Sequence, residues 1–355
     1  MRIKLPVTSQ REIVLTIGVF DGVHLGHRHL VQQVMRRARE LDCLSGAITF
    51  HPHPRAVLAG NGPPYLVTLD ERLALLRGLG LDLVTALPFT LDLARLSARE
   101  FMGLLGQHLR LRELWVGSDF ALGHRRGGSV TRLAEIGREM GYQVHGLPPL
   151  VLDGQTVSST RIRQLVRQGQ VEAAARLLGR RHHVGGMVVA GGQRGHHPGF
   201  HHAAKVALAD GLALPDKGVY AAYARREGRQ WPIVAHVETG FAGTERHLAV
   251  HMPDLAGDLY GQCLRVEFVR RLRPEVRLAL VEQMEQDPVP VSSEPCLSQL
   301  SGVSPGLQQA QDFKAVLHSV RVTVPANRDC PALLGWAGWL SAMLPAVSSK
   351  VKLMI

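Results

Sequence analysis

Two histidines, His24 and His27, close the glycine-rich run Gly18-Val19-Phe20-Asp21-Gly22-Val23-His24-Leu25-Gly26-His27. One helical turn apart, they face the same way on a helix. A neutral imidazole donates one N–H and an imidazolium two, so a pair beside a helix N-terminus can hold phosphate oxygens as charge builds on them in a transition state. Gly22 and Gly26 are placed where a Cβ would stand between backbone and ligand. A second cluster, Val157-Ser158-Ser159-Thr160-Arg161-Ile162-Arg163, sets three hydroxyls at a helix start with arginines in its first turn. Ser159 and Thr160 can donate to phosphate oxygens, and Arg163 can clamp them in bidentate fashion. The chemistry that these residue types support is phosphate binding.

The elements that position them follow from hydrophobic pattern. The apolar run Ile13 to Ile17 precedes the glycine turn, which makes a strand–turn–helix of the kind that holds phosphates in α/β proteins. Leu30, Val31, Val34, Ala38 and Leu41 share one face of the following helix, with Arg28, Gln32, Arg36 and Arg39 opposite. A strand is predicted over Ala47 to Phe50. Thr68-Leu-Asp-Glu71 and Ser97-Ala-Arg-Glu100 are capping boxes that start two more helices. Further strands are predicted at Leu83 to Leu87, Leu114 to Val116 and Gln143 to Val144, with helices at Val130 to Met140 and Thr160 to Leu178. Strands separated by helices imply an α/β fold with a doubly wound parallel sheet.

Beyond Gly179 the pattern changes to short β-rich segments beginning at Met187, Gly218, Ile233, Leu248 and Leu264, which predict a small antiparallel barrel or sandwich. A charged helix, Glu275 to Asp287, would close it. From Pro288 the Pro/Ser/Gln-rich stretch reads as a linker, followed by Trp336, Trp339, Leu340 and Met343 at helical spacing, a packing helix rather than a membrane anchor. The expected division is therefore 1–180, 181–287 and 288–355. A length of 355 residues with 45% apolar content is enough for two packed cores. Lys and Arg outnumber Asp and Glu by 41 to 30, which favours anionic partners, with nucleotides, nucleic acid and membrane surface as candidates. Aromatics make up only 5% and no long Lys/Arg run occurs, so nucleic acid is the weaker choice. Cys43, Cys263, Cys296 and Cys330 show no zinc spacing and read as reduced thiols. The first residues lack a signal-peptide core, and no run reaches the roughly 20 apolar residues of a spanning helix, so a cytoplasmic protein without membrane contact is expected. The histidine pairs at 182/183, 196/197 and 201/202 raise a metal site, but adjacent histidines on a strand point to opposite faces, and a solvated surface is the preferred reading.

Taken together, GVFDGVHLGH, Phe50-His-Pro-His53-Pro54-Arg55, Val116-Gly117-Ser118-Asp119-Phe120 and VSSTRIR, in this order, resemble the prokaryotic bifunctional FAD synthetase family. That family joins an HxGH-type nucleotidyltransferase domain to a C-terminal riboflavin kinase barrel. The resemblance runs from roughly residue 11 to 287 and implies an FMN adenylyltransferase: the FMN phosphate attacks the α-phosphorus of ATP, FAD and pyrophosphate result, and Mg²⁺ neutralises the phosphate oxygens. His24, His27 and Arg163 would be the catalytic residues. Gly18, Phe20, Asp21, Gly22, Gly26, His53, Asp119, Ser159 and Thr160 would line the ATP and FMN sites, with Phe50 to Arg55 on the flavin side. Leu122 stands where the family usually carries an aromatic residue.

The second half departs further. The family's Gly-Phe-Pro-Thr-Ala-Asn reads Gly199-Phe200-His201-His202-Ala203-Ala204 here, and its Leu-Glu-Val-His reads Leu248-Ala249-Val250-His251. A methyl group at 249 cannot take the proton of riboflavin's ribityl hydroxyl. The implied activity is adenylyl transfer with a degenerate kinase. The alternatives are a fully bifunctional enzyme, and a flavin- or nucleotide-binding protein without turnover.

Overall fold

The computed structural model describes residues 9–189, 203–239, 246–251 and 261–272. Its first half runs β1 (Ser9–Gly18), α1 (Leu25–Glu40), β2 (Leu44–His51), α2 (Pro54–Ala59), α3 (Leu69–Arg77), β3 (Leu83–Pro88), α4 (Leu91–Arg95), α5 (Ala98–Gly106) and β4 (Leu109–Gly117). It continues through the hairpin β5 (Ala121–Leu122) and β6 (Gly128–Ser129), α6 (Val130–Met140), β7 (Gln143–Leu147), the hairpin β8 (Val151–Leu152) and β9 (Gln155–Thr156), α7 (Ser159–Arg167) and α8 (Val171–Leu178). Strands β3-β2-β1-β4-β7 form one parallel sheet, the doubly wound arrangement predicted.

β1 is central and reads as a nearly continuous apolar run, interrupted by the buried Thr16, because both of its faces are covered. Ile13, Leu15 and Ile17 enter one core with Phe101, Leu105 and Leu133, while Val14 enters the other with Val31, Val34 and Leu76. α1 buries Leu30, Val31, Val34 and Ala38, the face expected of it, and stops at Leu41, its C-cap. Both capping boxes are present: Thr68 and Glu71 close one, Ser97 and Glu100 the other. The helices predicted over Thr160 to Leu178 are α7 and α8, and the chain turns between them at Gly169, whose φ is 73°.

The second half is a closed antiparallel barrel, ordered β10-β11-β14-β13-β12-β15, as the family resemblance implied where the strand pattern alone left barrel and sandwich open. Its strands are β10 (His183–Val189), β11 (Ala203–Leu208), β12 (Gly218–Arg226), β13 (Arg229–Thr239), β14 (Arg246–His251) and β15 (Cys263–Leu272). Val188, Val206, Tyr220, Ala235, Val250 and Phe268 are among the side chains that fill it. β11 was not anticipated, since its flanking His-rich residues hide the alternation. The predicted helix at Glu275, the linker, the C-terminal tryptophans and the pairs at 196/197 and 201/202 lie outside the described residues. Among the described residues, no helix is long and apolar enough to cross a membrane.

Candidate active site

The loop between β1 and α1 is tightly wound: Phe20, Gly22 and Val23 have φ of 49°, 80° and 39°, and the Val23 N–H donates to the Phe20 carbonyl at 3.1 Å. This left-handed backbone turns the chain so that α1 starts with its free N–H groups toward the loop. His24 is the N-cap of α1, and its Nδ1 accepts from the His27 N–H at 3.3 Å, which leaves the His24 proton on Nε2. The two rings stack, centroids 3.5 Å apart at 17°, with Phe20 edge-on to His27 at 5.2 Å.

Burial pushes His24 down to about 3, helped by Arg180 and Arg163. Burial, then His24 and the arginines Arg72, Arg163 and Arg180, push His27 well below its ordinary value. Both are therefore neutral at neutral pH, and each donates a single N–H. The imidazolium raised by the sequence is not the resting form. Among the described residues His27 Nδ1 is a buried polar atom without a hydrogen-bond partner.

Opposite the histidines, α7 is capped by Ser158, which accepts from the Arg161 N–H at 3.3 Å. Ser159 Oγ donates to the Asp21 carbonyl at 2.9 Å and so ties the helix start to the glycine turn. Arg163 is held by the protein: Nη2 donates to Asp21 Oδ2 at 2.7 Å and Nε to the Pro64 carbonyl at 2.8 Å. The Nε edge of the guanidinium thus carries the Asp21 and Pro64 bonds. Asp21 also accepts from the Leu66 N–H at 3.0 Å through both carboxylate oxygens. His53 caps α2, accepting from the Arg55 N–H at 3.1 Å, and its own N–H donates to Tyr65 Oη at 2.7 Å. Burial, then Arg163, lowers His53 to about 4.

These groups meet around one cavity of about 870 Å³, lined by Gly18, Phe20, Asp21, His24, Gly26, His27, His53, Asp119, Ser159, Thr160 and Arg163. This volume lies in the range of small-molecule sites. Phe50, Leu58, Phe89, Phe101, Phe120 and Leu122 give it an apolar wall. Leu122 is paired with Gly128 in the β5–β6 hairpin and packs into the first core as well. Gly26 lies in the lining, and an added Cβ there would stand 3.2 Å from the His24 ring. Gly22 is absent from the lining, and a Cβ there would stand 2.8 Å from Leu66 Cδ1. Its lack of a side chain serves internal packing, not ligand approach.

Two arginines were missed by sequence reasoning. Arg72 is fully buried, its Nη1 donating to the Phe50 carbonyl at 3.0 Å and to Thr49 Oγ1 at 3.3 Å, with its guanidinium 5.5 Å over the Tyr65 ring. A charged residue on the buried stripe that also holds Leu76 was the available signal. Arg180 follows α8 and reaches the Val23 carbonyl at 3.4 Å; burial, then Arg28, lowers it to about 10.

The His182/His183 pair is buried, which corrects the solvated-surface reading for it. His182 Nε2 meets the Ala213 carbonyl at 2.8 Å and His183 Nε2 meets Glu71 Oε1 at 3.1 Å, joining α3 to the barrel. No group of three His, Cys, Asp or Glu suited to a metal occurs among the described residues. In the barrel, Ala249 sits between Lys205 and His236 in register.

Residues 7–161 match a family model described as FAD synthetase, and residues 178–290 match one described as riboflavin kinase. The chain is 36% identical over 281 residues to a bifunctional riboflavin kinase/FMN adenylyltransferase of Pseudomonas fluorescens, covering 78% of this chain and 90% of that relative. It is 35% identical over 286 residues to the protein of the same name in Escherichia coli (strain K12), covering 79% and 91%. A crystal structure from Streptococcus pneumoniae, named as a macrolide-efflux protein, superposes with a TM-score of 0.69 at 27% identity over 80% of this chain and 94% of that one.

Proposed function

The chain belongs to the bifunctional riboflavin kinase/FMN adenylyltransferase family, and from that premise we propose that its α/β half, residues 1–180, transfers AMP from ATP to FMN in the cytoplasm. The products are FAD and pyrophosphate. The observation that carries this reading is the meeting of the stacked His24/His27 pair, the Ser159-Thr160 helix start and the apolar wall around one cavity.

In this reading the FMN phosphate attacks the α-phosphorus of ATP, one P–O bond forms, and the bond to pyrophosphate breaks. No covalent intermediate on the protein is needed, so positioning and charge stabilisation supply the catalysis. The neutral His24 and His27 each give one N–H to phosphate oxygens. A neutral donor follows the charge that builds in the transition state without holding the ground state as tightly as an imidazolium would. Ser159, Thr160 and the helix start of α7 face the phosphates from the other side. Arg163 contributes positive charge while its Asp21 bond fixes its position. Phe50, His53 and Phe120 belong to the flavin side.

Mg²⁺, when bound, neutralises the phosphate oxygens. Asp21 is engaged by Leu66 and Arg163, which leaves the exposed Asp119 as the carboxylate available at the cavity. A donor set this small fits an ion held mainly by substrate phosphates.

Incubation of the purified protein with ATP, Mg²⁺ and FMN tests the proposal. FAD is the expected product; a folded protein that makes none overturns the reading. For the barrel, residues 181–287, we propose a kinase-like domain with little or no riboflavin phosphorylation, on the grounds of Ala249, Ala204 and His202. The closed barrel and its family-model match favour the second reading, a fully bifunctional enzyme. Robust FMN formation from riboflavin and ATP decides for it.

A further inference from the structure

Three consecutive residues ahead of α3 each bond a different group at the cavity. The Pro64 carbonyl accepts from Arg163 Nε at 2.8 Å, Tyr65 Oη accepts from the His53 N–H at 2.7 Å, and the Leu66 N–H donates to the Asp21 carboxylate at 3.0 Å. The middle residue is pinned on both backbone groups by the barrel half: the Tyr65 N–H donates to the Gly211 carbonyl at 2.7 Å, and the Tyr65 carbonyl accepts from the Ala213 N–H at 2.7 Å. Residue 65 bridges Leu212 in parallel register there. Ala213 is buried in the same cluster as Leu66, Val157 and Ile162, so the clamp is packed as well as hydrogen-bonded.

We propose that Tyr65 is a positioning residue for the FMN side of the cavity, setting the His53 backbone and through it the His53 ring. This rests on the adenylyltransferase reading. Tyr65 itself is not among the cavity-lining residues, so it acts through His53. Its phenol supplies the acceptor for an N–H that lies at the start of α2, where the helix offers no intrahelical partner. Its ring lies beneath the Arg72 guanidinium, which fixes the direction in which the hydroxyl reaches. A phenylalanine would keep the ring and the barrel clamp and lose only the acceptor.

The test compares full-length wild type with Tyr65→Phe, reading FMN affinity by quenching of flavin fluorescence, KM for FMN and for ATP, and exchange of the His53 amide proton. One lost hydrogen bond to a half-buried N–H corresponds to about a fivefold weakening of FMN binding, with a matching rise in KM for FMN. KM for ATP is expected to stay within about twofold, and His53 amide protection to fall. A role in stability alone would lower Tm and leave this split between the two substrates unmoved. FMN affinity unchanged in Tyr65→Phe, or both substrates weakened alike, overturns the proposal. Wild type that binds FMN but makes no FAD overturns the reaction instead, and the affinity comparison still judges Tyr65.

Discussion

Acid is expected to weaken the folded state over a definite window, because the structure buries histidines in the neutral form. His24 is 5% exposed and His182 is 1% exposed, and burial first, then neighbouring positive charge, drives each from 6.5 to about 3. The unfolded chain takes up a proton at each site near pH 6.5, whereas the native chain does so only near pH 3. Their contribution is therefore intact above pH 6.5 and is lost as pH falls toward 3. Inside that window each site gives a slope of about 1.4 kcal/mol per pH unit, or about 2 kcal/mol between pH 7 and pH 5. The two together amount to about 4 kcal/mol, a large share of a typical total stability of about 5–15 kcal/mol. His53, lowered to about 4, and His27 act in the same direction. Glu71, held at about 2 chiefly by His183 and Thr68 against the opposing effect of burial, contributes stability that falls only below its unfolded value of 4.5, so it stays out of this interval. Urea titrations at pH 7, 6 and 5 measure the slope. His182→Asn should reduce it by one proton's worth whatever the substitution itself costs. A stability that is flat from pH 7 to 5, or an unchanged slope in His182→Asn, refutes the reasoning.

The remaining expectations concern single groups. His27→Ala should lower kcat for FAD formation by about 10²–10³, the usual loss when one transition-state donor is removed; activity within tenfold of wild type would remove His27 from the mechanism. Asp21→Asn keeps an acceptor for the Leu66 N–H but leaves Arg163 without its carboxylate, at a cost of about 3 kcal/mol or a Tm lower by about 6–12 °C. Calorimetry showing no shift would make the pair dispensable. Gly22→Ala combines left-handed backbone with a Cβ 2.8 Å from Leu66 and should cost about 2–4 kcal/mol. Gly154→Ala, equally left-handed but with nothing within 4 Å, should cost only about 1–2 kcal/mol, and equal losses at the two positions would contradict the packing role given to Gly22.

Features written locally were readable from the sequence, and those made by distant contacts were not. The strand–turn–helix at Gly18 to His27, the capping boxes at Thr68 and Ser97 and the helix at Val130 to Met140 depend on neighbours within a turn or two, and each stands where the pattern predicted. Arg163 was placed correctly beside the cavity, yet the carboxylate that engages it lies 142 positions away. No local code reports such a pairing. Gly22 illustrates a second limit: a glycine announces that a Cβ is unwelcome, not which side is crowded, and here the crowding comes from Leu66. Arg72 defied the rule that helix stripes facing the core are apolar, and Tyr65 owes its place to residues 211–213 of the other half. The exposed reading of His182 and His183 failed for the same reason, since their partners Ala213 and Glu71 are distant in the chain.

Closure of the barrel also fixes an order of events during synthesis. Its first strand, β10, pairs with β11 on one side and with β15 on the other, and β15 is the last strand of the ring. The α/β half, complete at Leu178, can assemble while the ribosome is still making the barrel, as N-terminal domains generally do. Until Glu267 has left the exit tunnel, β10 keeps one edge not fully paired, and unpaired edges invite wrong partners. The glycines of β10, Gly185 and Gly186, are poor edge material for such pairing, and an added Cβ on Gly186 would collide with the Ala207 carbonyl oxygen. The close approach of β10 and β11 that Gly186 permits is thus available early, and the final seam waits for β15.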